Sequence, residues 1–271
     1  MIKLENTEVV GWEHAIRGMR NPLNSWDKSD SEFIRDPDYG CSGNCPCEDI
    51  DGHCDCCFIG QNDLDLMKRL RNAGTDHRKF MRMITVYVDI TGPLYWWKEF
   101  KTYRAGRKFG DLEPDIFDPE LLEMDIETNS CSTMHKIHEK EFTLDDFSTE
   151  HLVSGWAGKD KDGTDIILTG PYECMENIII MLNRVRNSYL VALKTKSETG
   201  LSAKDTWWQM IQLLPTSYNQ RRTVMLNYEV LANIYKSRKN HKLDEWKDFC
   251  KWIEGLPYSE LITGQFVEEK G

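Results

Sequence analysis

The 271-residue chain is 40% hydrophobic and 11% aromatic, with nine Trp, and carries a formal net charge of −11. That length supports a sizeable core, as one large domain or two small ones, and the apolar content excludes a disordered chain. The acidic balance, with no Lys/Arg block, argues against duplex nucleic acid as a partner, whereas a small anionic ligand needs only a local cluster of donors.

The N-terminal "MIKLENTEVVGW" alternates like a short strand and lacks the apolar core of a signal peptide. No apolar run approaches the ~20 residues of a membrane span, so a cytoplasmic protein is expected. Residues 36–60 break the regular pattern and hold a cysteine cluster. "NDLDLMKRLRNAG" (62–74) places Leu64, Met67 and Leu70 at helical spacing and ends at Gly74, a plausible C-cap. "MITVYVDITGP" (83–93) reads as a strand with Ile84, Val86, Val88 and Ile90 on one buried face. Pro93 then starts a helix over 94–104. Residues 105–128, acidic and with two prolines, read as a surface excursion.

The C-terminal part is read as mostly helical: 173–193, 203–214 and 220–238, then a helix marked by Leu243, Trp246, Phe249, Cys250 and Ile253 that stops before Gly255 and Pro257. The expected fold is α+β, a single domain over 1–271 with inserts at 36–60 and 105–128. A twisted sheet containing 83–92 is packed against helices 62–73, 94–104 and 220–238, with the Cys-rich segment outside the core.

On the 220–238 segment, Val224, Tyr228, Leu231 and Tyr235 form a core stripe. Asn227 and Arg238 are eleven residues apart, which returns them to nearly the same helix face, roughly 16 Å apart along the axis. Periodicity alone allows a local role for both, with Asn227 capping a backbone group and Arg238 pairing with an acid near the helix C-terminus. It equally allows an extended ligand to touch the two.

The order Leu214-Pro215, Tyr218, Asn227, Asn233, Arg238 resembles, without gaps, the C-terminal signature of the flavin-dependent thymidylate synthases. A second segment, "HRKFMRMITVYVDITGPLYWWKEFKTYRAG", is similar to that family in keeping His77, the strand, Gly92-Pro93, the helix and a closing Arg104. Together the two cover roughly a quarter of the chain, in the family's order. The resemblance implies a fold like that of the thymidylate synthase complementing proteins and a homotetramer with flavin at subunit junctions. It also implies a reaction in which reduced flavin relays a one-carbon unit from methylene-tetrahydrofolate to C5 of dUMP, with NADPH as reductant. Residue by residue, it implies His77, Tyr103, Asn227 and Asn233 as contacts to FAD, and Arg238 and Arg104 as the catalytic pair, Arg238 also holding the pyrimidine edge.

This sequence departs from the family pattern at several charged positions. The family's Arg-His-Arg reads Thr102-Tyr103-Arg104, and its Arg-Gln pair reads Lys98-Glu99. Glu229 stands where the family has a flavin-phosphate Arg, and Ile211 where it often has a nucleotide-phosphate Arg. Arg82 replaces a family Glu, an exchange of sign opposite to that at Glu229, so the two positions would pair if they face each other. The family's substrate-phosphate loop is read as resuming at "ETNSCSTMHKIH", where Asn129, Ser130 and Ser132 offer amide, hydroxyl and backbone donors, unless this is a plain polar turn. His135 and His138, three apart, would share a helix face as surface or satisfied histidines.

Cys41, Cys45, Cys47, Cys54, Cys56 and Cys57 crowd into one short segment. Such a cluster suits a structural zinc ion, with free or reversibly oxidised thiols as the alternative. Two functions therefore stand side by side. One is a divergent flavin-dependent thymidylate synthase acting on a pyrimidine deoxynucleotide. The other is a nucleotide-binding or assembly protein that has lost catalysis on the same scaffold.

Overall fold

The computed structural model describes residues 1–33, 57–102, 126–195 and 201–264. In chain order the elements are β1 (Lys3–Val10), α1 (Trp12–Arg20), β2 (Glu32–Phe33), β3 (Cys57–Phe58), α2 (Gln61–Asn72), β4 (Thr85–Pro93), α3 (Leu94–Phe100) and β5 (Glu127–Ser130). They continue with β6 (Trp156–Lys159), β7 (Asp165–Leu168), α4 (Pro171–Lys194), α5 (Ala203–Leu213), β8 (Asn219–Asn227), α6 (Tyr228–Arg238), α7 (Asp244–Glu254) and α8 (Glu260–Thr263). This is a mixed helix and sheet architecture whose main sheet has four strands in the order β1-β4-β8-β5. Two compact units emerge: Ile2–Thr91 with Lys98–Asn129 and Arg222–Gly271, and Met1 with Gly92–Trp97 and Ser130–Arg221.

In the first unit β1 pairs antiparallel with β4, from Lys3 opposite Thr91 to Val10 opposite Thr85, with a bulge between Glu5 and Glu8. The expected alternation on β4 is observed: Val86, Val88 and Ile90 are buried, and Tyr87 is exposed. Trp12, Ala15, Ile16 and Met19 line the inner face of α1, a helix not anticipated from the sequence. Gly11, at φ 95°, starts it where any Cβ would fall 2.1 Å from the Met83 carbonyl oxygen, so only glycine fits this turn. Helix α6 packs on α7, α8 and the 3₁₀ turn Lys79–Met83. Trp12 meets the Tyr228 ring edge-on at 5.3 Å, and the Tyr228 hydroxyl donates to the Pro257 carbonyl at 2.5 Å.

A fully buried ion pair organises the loop after α1. Arg20 Nε donates to Asp63 Oδ1 at 2.6 Å, and its Nη atoms reach the Ser25 and Lys28 carbonyls at 3.0 Å each. The other Asp63 oxygen accepts from the Ser29 and Ser31 hydroxyls at 2.7 and 2.6 Å. Asp30 in turn accepts the Asn62 and Asp63 backbone N–H groups at the start of α2. This lattice leads to β2 and β3, which pair antiparallel, Glu32 with Phe58 and Phe33 with Cys57.

In the second unit α4 packs on α5 around Ile137, Phe142, Phe147, Met175, Ile179, Leu182 and Met210. Asn183 on α4 bonds both backbone groups of Phe142 at 2.9 Å, and β6 and β7 form a small antiparallel hairpin. The Trp97 indole N–H is shared between the Gly92 and Gln220 carbonyls, 3.0 Å from each.

Three expectations need correction. The helix expected over 94–104 ends at Phe100, and residues 101 and 102 form a turn in which the Thr102 N–H donates to the Glu99 carbonyl at 3.0 Å. The 220–238 segment is not one helix: Asn219–Asn227 is strand β8 and only Tyr228–Arg238 is helical. Val224 and Leu226 are buried at a period of two, together with Gln220 and Arg222, whose polarity hid the strand period. His135 and His138 share no helix, because residues 131–140 run through bends and turns. Among the described residues no helix is long and apolar enough to cross a membrane.

Candidate functional site

Helix α6 organises the candidate site. Its N-cap is Asn227, whose Oδ1 accepts the Val230 N–H at 3.0 Å, a contact that ordinarily stabilises a helix by about 1 kcal/mol. The Tyr228 N–H donates to the Ile84 carbonyl at 3.1 Å and ties the head of α6 to the approach to β4. These two bonds fix which way the first turn faces.

That turn presents Glu229, fully buried, to the 3₁₀ turn Lys79–Met83. Arg82 Nε donates to Glu229 Oε2 at 2.5 Å, so the two exchanged charges do pair. Arg78 Nε lies 3.5 Å from Glu229 Oε1, close enough for ion pairing. Neither of those two atoms, however, completes a hydrogen bond among the described residues. Arg78 Nη2 donates to Asn233 Oδ1 at 3.4 Å, and Asn233 shares the face of Glu229 four residues earlier. A third guanidinium stands near. Burial and then the charge of Arg78 hold Arg71 below its usual pKa, and Arg71 bonds the Leu261 and Ile262 carbonyls at 3.1 Å each.

At the other end of α6, Arg238 Nη1 lies 3.1 Å from Glu99 Oε2, and its guanidinium sits over the Trp246 ring at 4.8 Å. The Trp246 indole N–H donates to the same Glu99 oxygen at 3.2 Å. Lys98-Glu99, the departure from an Arg-Gln pair, thus supplies the carboxylate that Arg238 meets. The local roles that periodicity allowed for Asn227 and Arg238 are both present.

The other expected site residues are placed as follows. His77 is exposed in the turn after Gly74, with its backbone N–H on the Gly74 carbonyl at 3.1 Å. Asn129 and Ser130 end β5, both exposed. Ser132 Oγ accepts the Met134 and His135 N–H groups at 3.2 and 2.8 Å, so it already caps a local turn. His138 packs edge-on against Tyr189 at 4.9 Å. Tyr103 and Arg104 lie outside the described residues, as do Cys41, Cys45, Cys47, Cys54 and Cys56; Cys57 begins β3. Among the described residues no three His, Cys, Asp or Glu side chains are grouped to hold a metal ion.

Arg78 was not legible as a site residue. It lies in the polar run "HRKF", and its importance comes from Glu229 and Asn233, which only the fold brings beside it.

Comparison with known proteins gives a likeness of fold. A crystal structure of thymidylate synthase X from Helicobacter pylori with FAD and dUMP superposes with a TM-score of 0.54 at 15% identity, covering 97% of this chain and 98% of that one. A second structure, of flavin-dependent thymidylate synthase from the same organism complexed with FAD and dUMP, gives a TM-score of 0.55 at the same identity and coverage. No family model and no curated protein sequence matches the chain.

Proposed function

We propose that the chain is a flavin- and pyrimidine-nucleotide-binding protein on the thymidylate synthase X fold, acting in one-carbon transfer to C5 of dUMP or a related deoxynucleotide. The observation that carries this reading is the whole-length fold likeness to structures holding FAD and dUMP, together with Asn227 capping α6 and Asn233 and Arg238 following along it. In this proposal Asn227, Asn233, His77 and Tyr103 hold FAD, while Asn129, Ser130 and Ser132 receive the nucleotide phosphate. Arg238, with Arg104, faces the pyrimidine. A partly buried guanidinium at Arg78, whose buried Nε has no hydrogen-bond partner among the described residues, fits a cofactor that carries phosphate. When bound, the flavin supplies the redox and group-relay chemistry; the chain's own residues bind, orient and balance charge. NADPH and methylene-tetrahydrofolate are the proposed co-reactants, a homotetramer the proposed assembly and the cytoplasm the proposed location.

A second reading, a binding or assembly protein without catalysis, is favoured by one observation. Arg238 is engaged by Glu99 and Trp246, which reduces the charge it can offer a pyrimidine. Purification separates the readings at the first step, because a flavin-bearing protein is yellow. Tritium release from C5-labelled dUMP, measured anaerobically with FAD, NADPH and methylene-tetrahydrofolate, then tests catalysis; a yellow, nucleotide-binding but inactive protein supports the second reading.

Arg238→Ala should weaken binding of dUMP by about 1.5–3 kcal/mol, the usual worth of a hydrogen bond from a charged group. Calorimetry with dUMP, dTMP and dCMP beside thermal melts is decisive. A lowered melting temperature in the variant, with no nucleotide bound by the wild type, would leave Arg238 a purely structural partner of Glu99.

For the cysteine segment we propose a structural zinc ion, about one per chain, held by four soft ligands as in other closed zinc sites. Chelation should then loosen the segment while leaving the helical signal nearly unchanged. Elemental analysis showing no metal in protein purified under reducing conditions would rule it out.

A further inference from the structure

We propose that Arg78 is the anchor for a phosphate group of the bound ligand, with Asn233 beside it and Glu229 as the residue that positions it. This deepens the function proposed above and rests on it. A guanidinium has five donors in a rigid fork and cannot shed its charge. The Arg78 side chain is only 17% exposed, yet among the described residues it makes one hydrogen bond, at 3.4 Å, and one ion pair, at 3.5 Å. Its Nε is buried and has no hydrogen-bond partner among the described residues. Glu229 does not satisfy it, because the short contact from Arg82, 2.5 Å, draws the carboxylate the other way.

The charges around it point in the same direction. Arg78 and Arg82 share the buried Glu229 carboxylate, and Arg71 is near enough to Arg78 for the two like charges to act on each other, so positive charge gathers at the head of α6. The N-terminal end of an eleven-residue helix adds to that field. Holding like charges together at a partly buried site is unfavourable unless an anion joins them. A phosphate or diphosphate suits the fork better than a carboxylate, since it offers more acceptor oxygens and more charge. The phosphate comes either from a flavin nucleotide or from the pyrimidine nucleotide.

The test titrates wild type, Arg78→Gln and Arg78→Lys with two ligand pairs, FAD against riboflavin and dUMP against deoxyuridine, and with inorganic pyrophosphate. Wild type should prefer the phosphorylated member of one pair by on the order of tenfold or more. In Arg78→Gln that preference should fall to about one, which identifies the source of the phosphate, and Arg78→Lys should restore part of it. An unchanged preference in folded Arg78→Gln, checked by thermal melt, overturns the proposal. Should Arg78→Gln not fold, undiminished preference in Arg78→Lys overturns it, since an ammonium cannot reproduce the fork. Should wild type bind neither flavin nor nucleotide, the function proposed above fails, and pyrophosphate decides Arg78 alone. Binding lost in the variant then keeps the anion site, and equal binding, or none in wild type, removes it.

Discussion

Asp63→Ala should destabilise the fold by about 3–5 kcal/mol, the range for removing one partner of a buried ion pair. The size follows from what remains behind. Arg20 is 3% exposed and would keep its bonds to the Ser25 and Lys28 carbonyls but lose the Asp63 carboxylate, while the Ser29 and Ser31 hydroxyls would lose their shared acceptor. Urea melts of the two proteins measure the difference; a loss under 1 kcal/mol would mean that water replaces the carboxylate at no cost. Burial alone would raise the Asp63 pKa, but the Ser31, Ser29 and Arg20 hydrogen bonds and the Arg20 charge outweigh it and hold the group below the usual carboxylate range. Its contribution is therefore complete above the unfolded-state value of about 4 and is lost as pH falls through the lower folded value. The wild type should lose stability across that acid window, and Asp63→Ala should show a shallower loss there.

Legibility in the sequence followed how local the determining contacts are. Helices 173–193 and 203–214 were placed to within a residue or two of α4 and α5, because one amphipathic stripe and a Ser202–Asp205 capping box mark them without outside help. The segment over β8 and α6 misled because Val224, Tyr228, Leu231 and Tyr235 fit a helix period, while the strand's own period rests partly on buried Gln220 and Arg222. Asn227 was read as a mid-helix residue, although Asn is among the commonest N-caps and here marks the true helix start. The eleven-residue helical spacing from Asn227 to Arg238 assumed one helix through both, whereas Asn227 ends β8 and caps α6, and only Asn233 and Arg238 lie within the helix. Arg78 and Glu99 were out of reach as site residues. Each matters through a partner far along the chain, and no periodicity in the sequence encodes such a meeting.

Glu229→Ala is the second substitution expected to cost about 3–5 kcal/mol, and it tests the charge balance at the head of α6. The wild-type carboxylate is wholly buried between Arg82 at 2.5 Å and Arg78 at 3.5 Å, so its loss removes the counter-charge that the two guanidiniums share. Repulsion in a partly buried setting is poorly screened by salt, so raising sodium chloride should recover little of the loss. Inorganic pyrophosphate should recover more, because it can enter the gap as a counter-charge and stabilises the native state by mass action. The expected result is a rise in melting temperature with added pyrophosphate that is larger for Glu229→Ala than for wild type. A control removes one guanidinium together with the carboxylate: Arg82→Leu combined with Glu229→Leu should cost less than Glu229→Ala alone, since Arg78 alone, and not Arg78 with Arg82, then loses its counter-charge. Equal losses in the single and double variants would show that packing volume, and not charge, is what Glu229 contributes.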